Sequence, residues 1–151
     1  MDQIADLLEK IESKIPLASA SNESVSKSNV GWHLDHSVRV IISVVTALQK
    51  SDKNHTWRFN FKRMLLLGVK IIQRGKARAP KAVQSFDEIT ATSIQQLLLT
   101  AHSLTQELGS LDTKSNFMHP YVGQLNLKEA IIFLGIHTKH HLKIIDDIVK
   151  K

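Results

Sequence analysis

The chain has 151 residues and a net charge of +6, and 42% of its residues are hydrophobic, which is typical of one globular domain. It has no cysteine, so disulfides, thiolate metal sites, iron–sulfur clusters and cysteine nucleophiles are excluded. No apolar run approaches the roughly 18 residues of a membrane span, and the charged, helix-patterned N-terminus argues against a secretory signal. We therefore expect a single domain, residues 1–151, in the cytoplasm and with no membrane partner.

Positive charge is concentrated in one part of the chain. From Lys50 to Lys81 there are ten basic residues and one acidic residue, Asp52. Such a block can attract nucleic acid or an anionic substrate, although a solvated face is its simpler interpretation. The sequence has no zinc finger, RNA-recognition motif or basic zipper, which argues against nucleic acid as the main partner.

The hydrophobic pattern is helical nearly throughout, and no convincing alternating strand appears. Helices are predicted over residues 2–15, 29–49, 59–73, 87–108 and 127–149. Capping-box spacing marks the starts of the last two, in Ser85 with Glu88 and in Asn126 with Glu129. Four longer helices and a short first one predict an all-α protein, a four-helix bundle with an additional short helix.

The eight histidines are the unusual feature of this sequence, and three of them lie within five residues. A helical residue turns about 100°, so His137 and His141 lie about 40° apart in the middle of the apolar stripe of the last helix. His140 lies at the edge of that stripe. Two imidazoles one turn apart on a buried face can bind one metal ion, and a third ligand must then come from another helix.

The second predicted helix offers His33 and His36 for this purpose. In an antiparallel pair, His36 is roughly 10 Å from the start of one helix and His141 roughly 12 Å from the end of the other, at 1.5 Å per residue. His36, His137 and His141 can therefore meet, with a coordination position left open as in catalytic sites. Periodicity does not choose between His33 and His36, so one can be the ligand and the other its support.

Other side chains are candidates for work beside the metal. His33 or His140 could orient a bound ligand or carry a proton, because histidine titrates near neutral pH. Asp35 faces about 100° away from His36, so a solvated carboxylate is expected and an acid–base role is the alternative. Six aromatic residues are candidates for a pocket wall: Trp32, Trp57, Phe59, Phe61, Phe117 and Tyr121.

Three strings give the chain a resemblance to a known family: VGWHLDHS from Val30, HPYVGQL from His119 and HTKHHL from His137. They resemble the DinB-like, or YfiT-like, metal-binding four-helix bundles, in an uncharacterised bacterial branch. The resemblance implies that His36, His137 and His141 bind a divalent ion, commonly nickel or zinc. It also implies that His119 helps to line the site and that the protein is often a homodimer.

The resemblance covers the whole chain in helix order and extends to a class of activity. Lys143 and Ile144 stand where many members carry an Arg-Gly-Gln tail, which leaves the substrate contacts open. The family implies an enzyme of hydrolase or thiol-linked transferase type that acts on a small molecule. Two alternatives are a non-catalytic metal-binding or interaction module and a metal-free basic bundle that binds nucleic acid.

Overall fold

The computed structural model describes residues 2–54, 56, 58–74, 83, 85 and 88–150. This part of the chain is mostly helical, as the sequence predicts. It contains the helices α1 (Asp2–Ser13), α2 (Val30–Gln49), α3 (Phe61–Val69), α4 (Ala91–Gln106) and α5 (Leu127–Val149), and the strands β1 (Asn116–His119) and β2 (Gly123–Asn126). None of the helices in these residues has the length and apolar character needed to cross a lipid bilayer.

The core lies between α1, α2, α4 and α5, so the prediction that the first helix is the short additional one is wrong, and α3 is the shortest helix instead. α2 packs against α4 and α5, and α1 packs against the same two helices. Each contributes side chains that are almost completely buried, including Ile4, Leu8, Leu34, Ile41, Ile94, Leu134 and Ile145. This packing fixes α2 against α5, the two helices that carry five of the histidines predicted to be functional.

Local signals set the helix starts, and one of the two predicted capping boxes is wrong. At α5, the Asn126 side chain accepts a hydrogen bond from the Glu129 backbone N–H at 2.9 Å, and Glu129 accepts one from the Asn126 N–H at 3.1 Å. The box predicted from Ser85 and Glu88 does not start α4. That helix begins at Ala91, after a box formed by Thr90 and Ser93, so it is shorter than predicted.

α3 is also shorter than predicted, because Lys70 adopts the left-handed backbone conformation at φ 58° and ends the helix there. Gly75, a residue that commonly follows a helix end, lies just beyond the predicted helix and outside the described residues. Arg63 anchors α3 to the rest of the fold. Its guanidinium donates to the Gln124 carbonyl oxygen at 2.7 Å and lies 3.5 Å from the Glu129 carboxylate.

The expectation of no strands is corrected by a small antiparallel hairpin between α4 and α5. Asn116 pairs with Asn126 and His119 with Gly123, which gives two strands of four residues each. The turn is the HPYVG segment, where Gly123 has a φ of +75° that a side chain would strain. Pro120 and Gly123 are residues typical of a turn, whereas the strands beside it are too short for an alternating pattern to stand out.

Candidate metal centre

Histidines on α2 and α5 face one another along the contact between these helices. The ring centroids of His33 and His141 are 5.2 Å apart, and those of His36 and His137 are 5.1 Å apart. The later histidine of α2 therefore faces the earlier histidine of α5, which means that the two helices run antiparallel. This is the arrangement in which the sequence predicts that the histidines meet. The predicted meeting of the two segments is confirmed.

His36, His137 and His141 lie close enough to hold one metal ion. One ring nitrogen from each falls within 4.8 Å of the other two. Three nitrogens at about 2.05 Å from a tetrahedral cation would be roughly 3.3 Å apart, so small rotations of the rings would close the site. His36 and His141 are buried, and His137 is partly exposed.

Hydrogen bonds show which ring nitrogens are available in two of these histidines. The His36 Nδ1 atom lies 3.2 Å from the Val83 carbonyl oxygen, which can only accept, so His36 donates from Nδ1. Its Nε2 atom then carries the lone pair in the neutral ring. The Nδ1 atom of His137 is buried and has no hydrogen-bond partner among the described residues. A buried nitrogen without a partner is costly, and a bound ligand would relieve that cost.

His33 supports this cluster from outside it. Its Nδ1 atom lies 2.9 Å from Nδ1 of His141, and its Nε2 atom lies 3.0 Å from the Ser26 hydroxyl. Both ring nitrogens of His33 are therefore occupied, and His36, not His33, lies in the group that can hold a metal. This arrangement favours His36 over His33 as the ligand from α2. The catalytic roles predicted for His33 and His140 stay predictions, although both rings line the cavity described below.

Burial keeps the histidines of the cluster neutral. Loss of hydration lowers the pKa of His36, and it lowers that of His137 well below the ordinary value of 6.5. The pKa of His141 also falls strongly because of burial and then because of its neighbouring imidazoles. His33 is lowered to a pKa of about 4, for the same leading reason. Only a neutral imidazole can bind a metal, so these rings are in the competent form at neutral pH.

Asp35 is buried, so the expectation of a solvated carboxylate is wrong. Only 2% of this residue is exposed, and its Oδ2 atom lies 2.7 Å from Nε of Arg39 one turn along α2. Arg39 in turn donates to the Ser85 hydroxyl at 3.4 Å. The side of α2 that the helical wheel turns away from His36 is therefore not open to solvent at Asp35. Asp35 does not line the cavity beside the histidines.

A cavity of about 1280 Å³ opens beside the cluster. His119 lines it, as expected, and its ring is 4.6 Å from that of Phe133. The Nδ1 atom of His119 accepts the backbone N–H of Tyr121 at 3.1 Å and that of Val122 at 3.3 Å. The hairpin turn therefore holds this ring in the cavity wall.

The predicted aromatic wall is partly correct. Trp32, Phe117 and Tyr121 line the cavity. The Trp32 ring also stacks on His36, with centroids 4.9 Å apart and an angle of 14° between the planes. Phe59 and Phe61 are exposed and are not part of the wall, and Trp57 lies outside the described residues. The sequence analysis missed Phe133, whose place one turn before His137 on the same stripe could have identified it.

The basic block does not form one uniform solvated face in the described residues. Arg63 is buried, and Arg74 pairs with Asp147 on α5 at 2.6 Å. Lys62 and Arg74 are both part of the cavity wall. The last part of the basic block lies outside the described residues, because residues 75–82 are not among them.

Comparisons of the chain with protein-family models, with curated proteins and with solved structures find no match. The function is therefore inferred from the chemistry of the site itself.

Proposed function

We propose that the chain is a divalent-metal-dependent enzyme in which His36, His137 and His141 hold the ion. The observation that carries this proposal is the convergence of three ring nitrogens within 4.8 Å of one another. Nickel and zinc are the proposed metals, as the family resemblance implies, and imidazole ligands suit both. We further propose that the helices form a four-helix bundle of the DinB-like type, which the strings quoted above resemble.

The hydrogen bonds fit this assignment. In His36, the bond to the Val83 carbonyl fixes the proton on Nδ1 and directs the Nε2 lone pair elsewhere. If His141 presents Nε2 to the cation, its Nδ1 must donate to His33, whose own Nε2 then donates to Ser26. Outer partners of this kind orient metal ligands and fix their tautomers.

Three histidine ligands favour catalysis over a purely structural role. Structural zinc sites are closed by four protein ligands, whereas catalytic sites use three and leave a position for water or substrate. A bound divalent cation would supply Lewis-acid chemistry, which polarises a carbonyl group and lowers the pKa of a water molecule. The cavity beside the histidines provides the space for a substrate.

The reaction class that we propose is hydrolysis, with thiol-linked group transfer as its alternative. His140 is placed to exchange a proton with the reacting groups, since it lines the cavity with its ring centroid 5.2 Å from that of His141. Burial and the charge of Arg74 lower the His140 pKa, so this imidazole is neutral and can accept a proton at pH 7.

Metal content tests the proposal directly. We expect about one divalent ion per chain in the purified protein, measured by elemental analysis, and much less in His137→Ala and His141→Ala. His102→Ala is the matched control, because His102 is a half-buried histidine of α4 that does not line the cavity. Equal metal content in all four proteins would overturn the site. Metal that is bound without turnover of any ester or thioester would favour a binding module over an enzyme.

A further inference from the structure

The cavity is larger than the metal site needs. Its volume of about 1280 Å³ exceeds the roughly 300–1,000 Å³ that is usual for small-molecule sites. On α2 the wall continues from His36 through Val40, Val44 and Ala47. At 1.5 Å per residue, His36 and Ala47 are roughly 16 Å apart along the helix axis. The substrate can thus have a long body that extends away from the histidines.

The wall along this body is apolar. On α5, Phe133 lies one turn before His137. Because the two helices are antiparallel, this turn of α5 lies beside the part of α2 that leads from His36 toward Ala47. Phe117 of the hairpin closes on Phe133, with ring centroids 6.1 Å apart. Leu66 of α3 adds a further apolar side chain to the wall. An apolar chain is the group that this surface would remove from water with the largest gain.

The charged groups of the wall favour an anion. In the part of the wall that the structure describes, the charged side chains are one acid, Glu23, and three bases, Lys27, Lys62 and Arg74. Arg74 is paired with Asp147, yet its charge still acts on the cluster, where it helps to lower the pKa of His33 and of His140. The three proposed ligands are neutral, so they would leave the two positive charges of a divalent cation uncompensated.

Resting on the proposed function, we infer that the substrate is an acyl compound with a medium or long apolar chain, and that the product is its carboxylate. The carbonyl end lies at His36, His137 and His141, and the chain follows the apolar stripe toward Ala47. In the reaction, an oxygen of water bonds to the acyl carbon and the bond to the leaving group breaks. The leaving group takes up a proton, and the acid loses one to become the carboxylate.

Binding of product carboxylates tests this inference without a need for turnover. The zinc-loaded protein is titrated by calorimetry with butanoate, octanoate and dodecanoate, each below the concentration at which it forms micelles. Affinity should rise about fourfold for each methylene group that enters the apolar part of the cavity. Dodecanol should bind at least tenfold more weakly than dodecanoate, because it has no negative charge. Equal affinity for the three carboxylates would overturn the apolar-chain assignment, and equal affinity for the alcohol would overturn the anionic one.

A substitution at the far end of the stripe locates the chain. In Ala47→Phe the added ring fills that end, so dodecanoate should bind at least tenfold more weakly while butanoate binding and zinc content stay unchanged. Ala91→Phe, at an exposed position of α4 outside the cavity, is the matched control. Unchanged dodecanoate binding in Ala47→Phe would overturn this placement. If the wild-type protein binds neither zinc nor nickel, the proposed function fails. If it binds one of these metals but shows no chain-length dependence, only this inference fails.

Discussion

The Nδ1 atoms of His33 and His141 lie 2.9 Å apart, although 108 residues separate them in the sequence. One of the two nitrogens must donate and the other must accept, so the tautomer of one ring determines the tautomer of the other. When His141 donates, its Nε2 atom keeps the lone pair that a metal needs. The Nδ1 atom of His33 then accepts this hydrogen bond, and its Nε2–H donates a hydrogen bond to the Ser26 hydroxyl, 3.0 Å away. His33 would thus set the ligand state of His141.

Removal of His33 should weaken the metal site without removal of a ligand. We expect His33→Ala to lower zinc affinity about 10- to 100-fold, the usual effect of deleting an outer partner of a metal-bound histidine. Competition with a chromophoric chelator measures this affinity, and His102→Ala serves as the control. The same affinity in both variants would show that the His33–His141 hydrogen bond does not position the ligand. Circular dichroism verifies that each variant is folded.

Zinc should stabilise the folded protein by mass action. At a free zinc concentration of about 100 times Kd, the free energy of unfolding should rise by about 2.7 kcal/mol. For a protein of this size that corresponds to a Tm increase of roughly 5–10 °C. Thermal unfolding followed by circular dichroism should show this increase in the wild type and its reversal by a chelator. In His137→Ala the increase should disappear, and an undiminished shift there would place the stabilising ion elsewhere.

The metal-free protein should lose stability when the pH falls from about 6.5 to about 4. The pKa values of His33 and His119 are lowered by burial from 6.5 to about 4, so the unfolded chain binds more protons than the folded one in this window. The contribution of each such group to the free energy of unfolding is complete above pH 6.5. Below that pH it decreases by up to about 1.4 kcal/mol for each pH unit. Urea denaturation in the presence of a chelator at pH 7, 6 and 5 measures the slope.

A variant isolates one of these histidines. In His119→Asn the group that titrates is removed, so the free energy of unfolding should fall less steeply between pH 6.5 and 5 than in the wild type. The carboxylates are common to both proteins and cancel in the comparison. Parallel slopes would mean that protonation of His119 does not oppose folding.

Arg63 should be one of the most costly charged residues to replace. It is 6% exposed, and its guanidinium bonds to the carbonyls of Gln124 and Arg58 and pairs with the Glu129 carboxylate. Its removal leaves two carbonyl groups and the partly buried Glu129 carboxylate without their partner, so Arg63→Met should lower the free energy of unfolding by about 1–3 kcal/mol. Arg58 has an exposed side chain, and Arg58→Met should change stability by less than about 0.5 kcal/mol. Urea denaturation compares the two, and similar small losses would contradict the anchoring role of Arg63.

The sequence predicts the histidine cluster because helical periodicity and length are strong signals. His137 and His141 share a face at a spacing of four residues, and the level of His36 follows from the rise of an antiparallel helix. The choice between His33 and His36 depends on which side of the ring each neighbour occupies. The His36–Val83 and His33–Ser26 hydrogen bonds favour His36 as the ligand, and neither Val83 nor Ser26 lies in a long helix whose periodicity would predict its position.

The errors have physical causes of the same kind. Asp35 looks solvated on a helical wheel, yet it is buried in the fold and forms an ion pair with Arg39. The predicted box at Ser85 and Glu88 has the correct spacing, but the Thr90–Ser93 box closer to the apolar stripe starts the helix instead. Tertiary packing decides between local signals that are equally good in isolation.

The long separation of His36 from His141 in the sequence also has a consequence for the order of events during synthesis. At about 5–20 residues per second, a ribosome needs roughly 5–20 s to extend the chain from His36 to His141. During that time His36 has no partner histidine from α5, so it could hold an ion only as a single weak ligand. A metal ion that needs all three proposed ligands would therefore be bound only at the end of folding, after the last helix has docked.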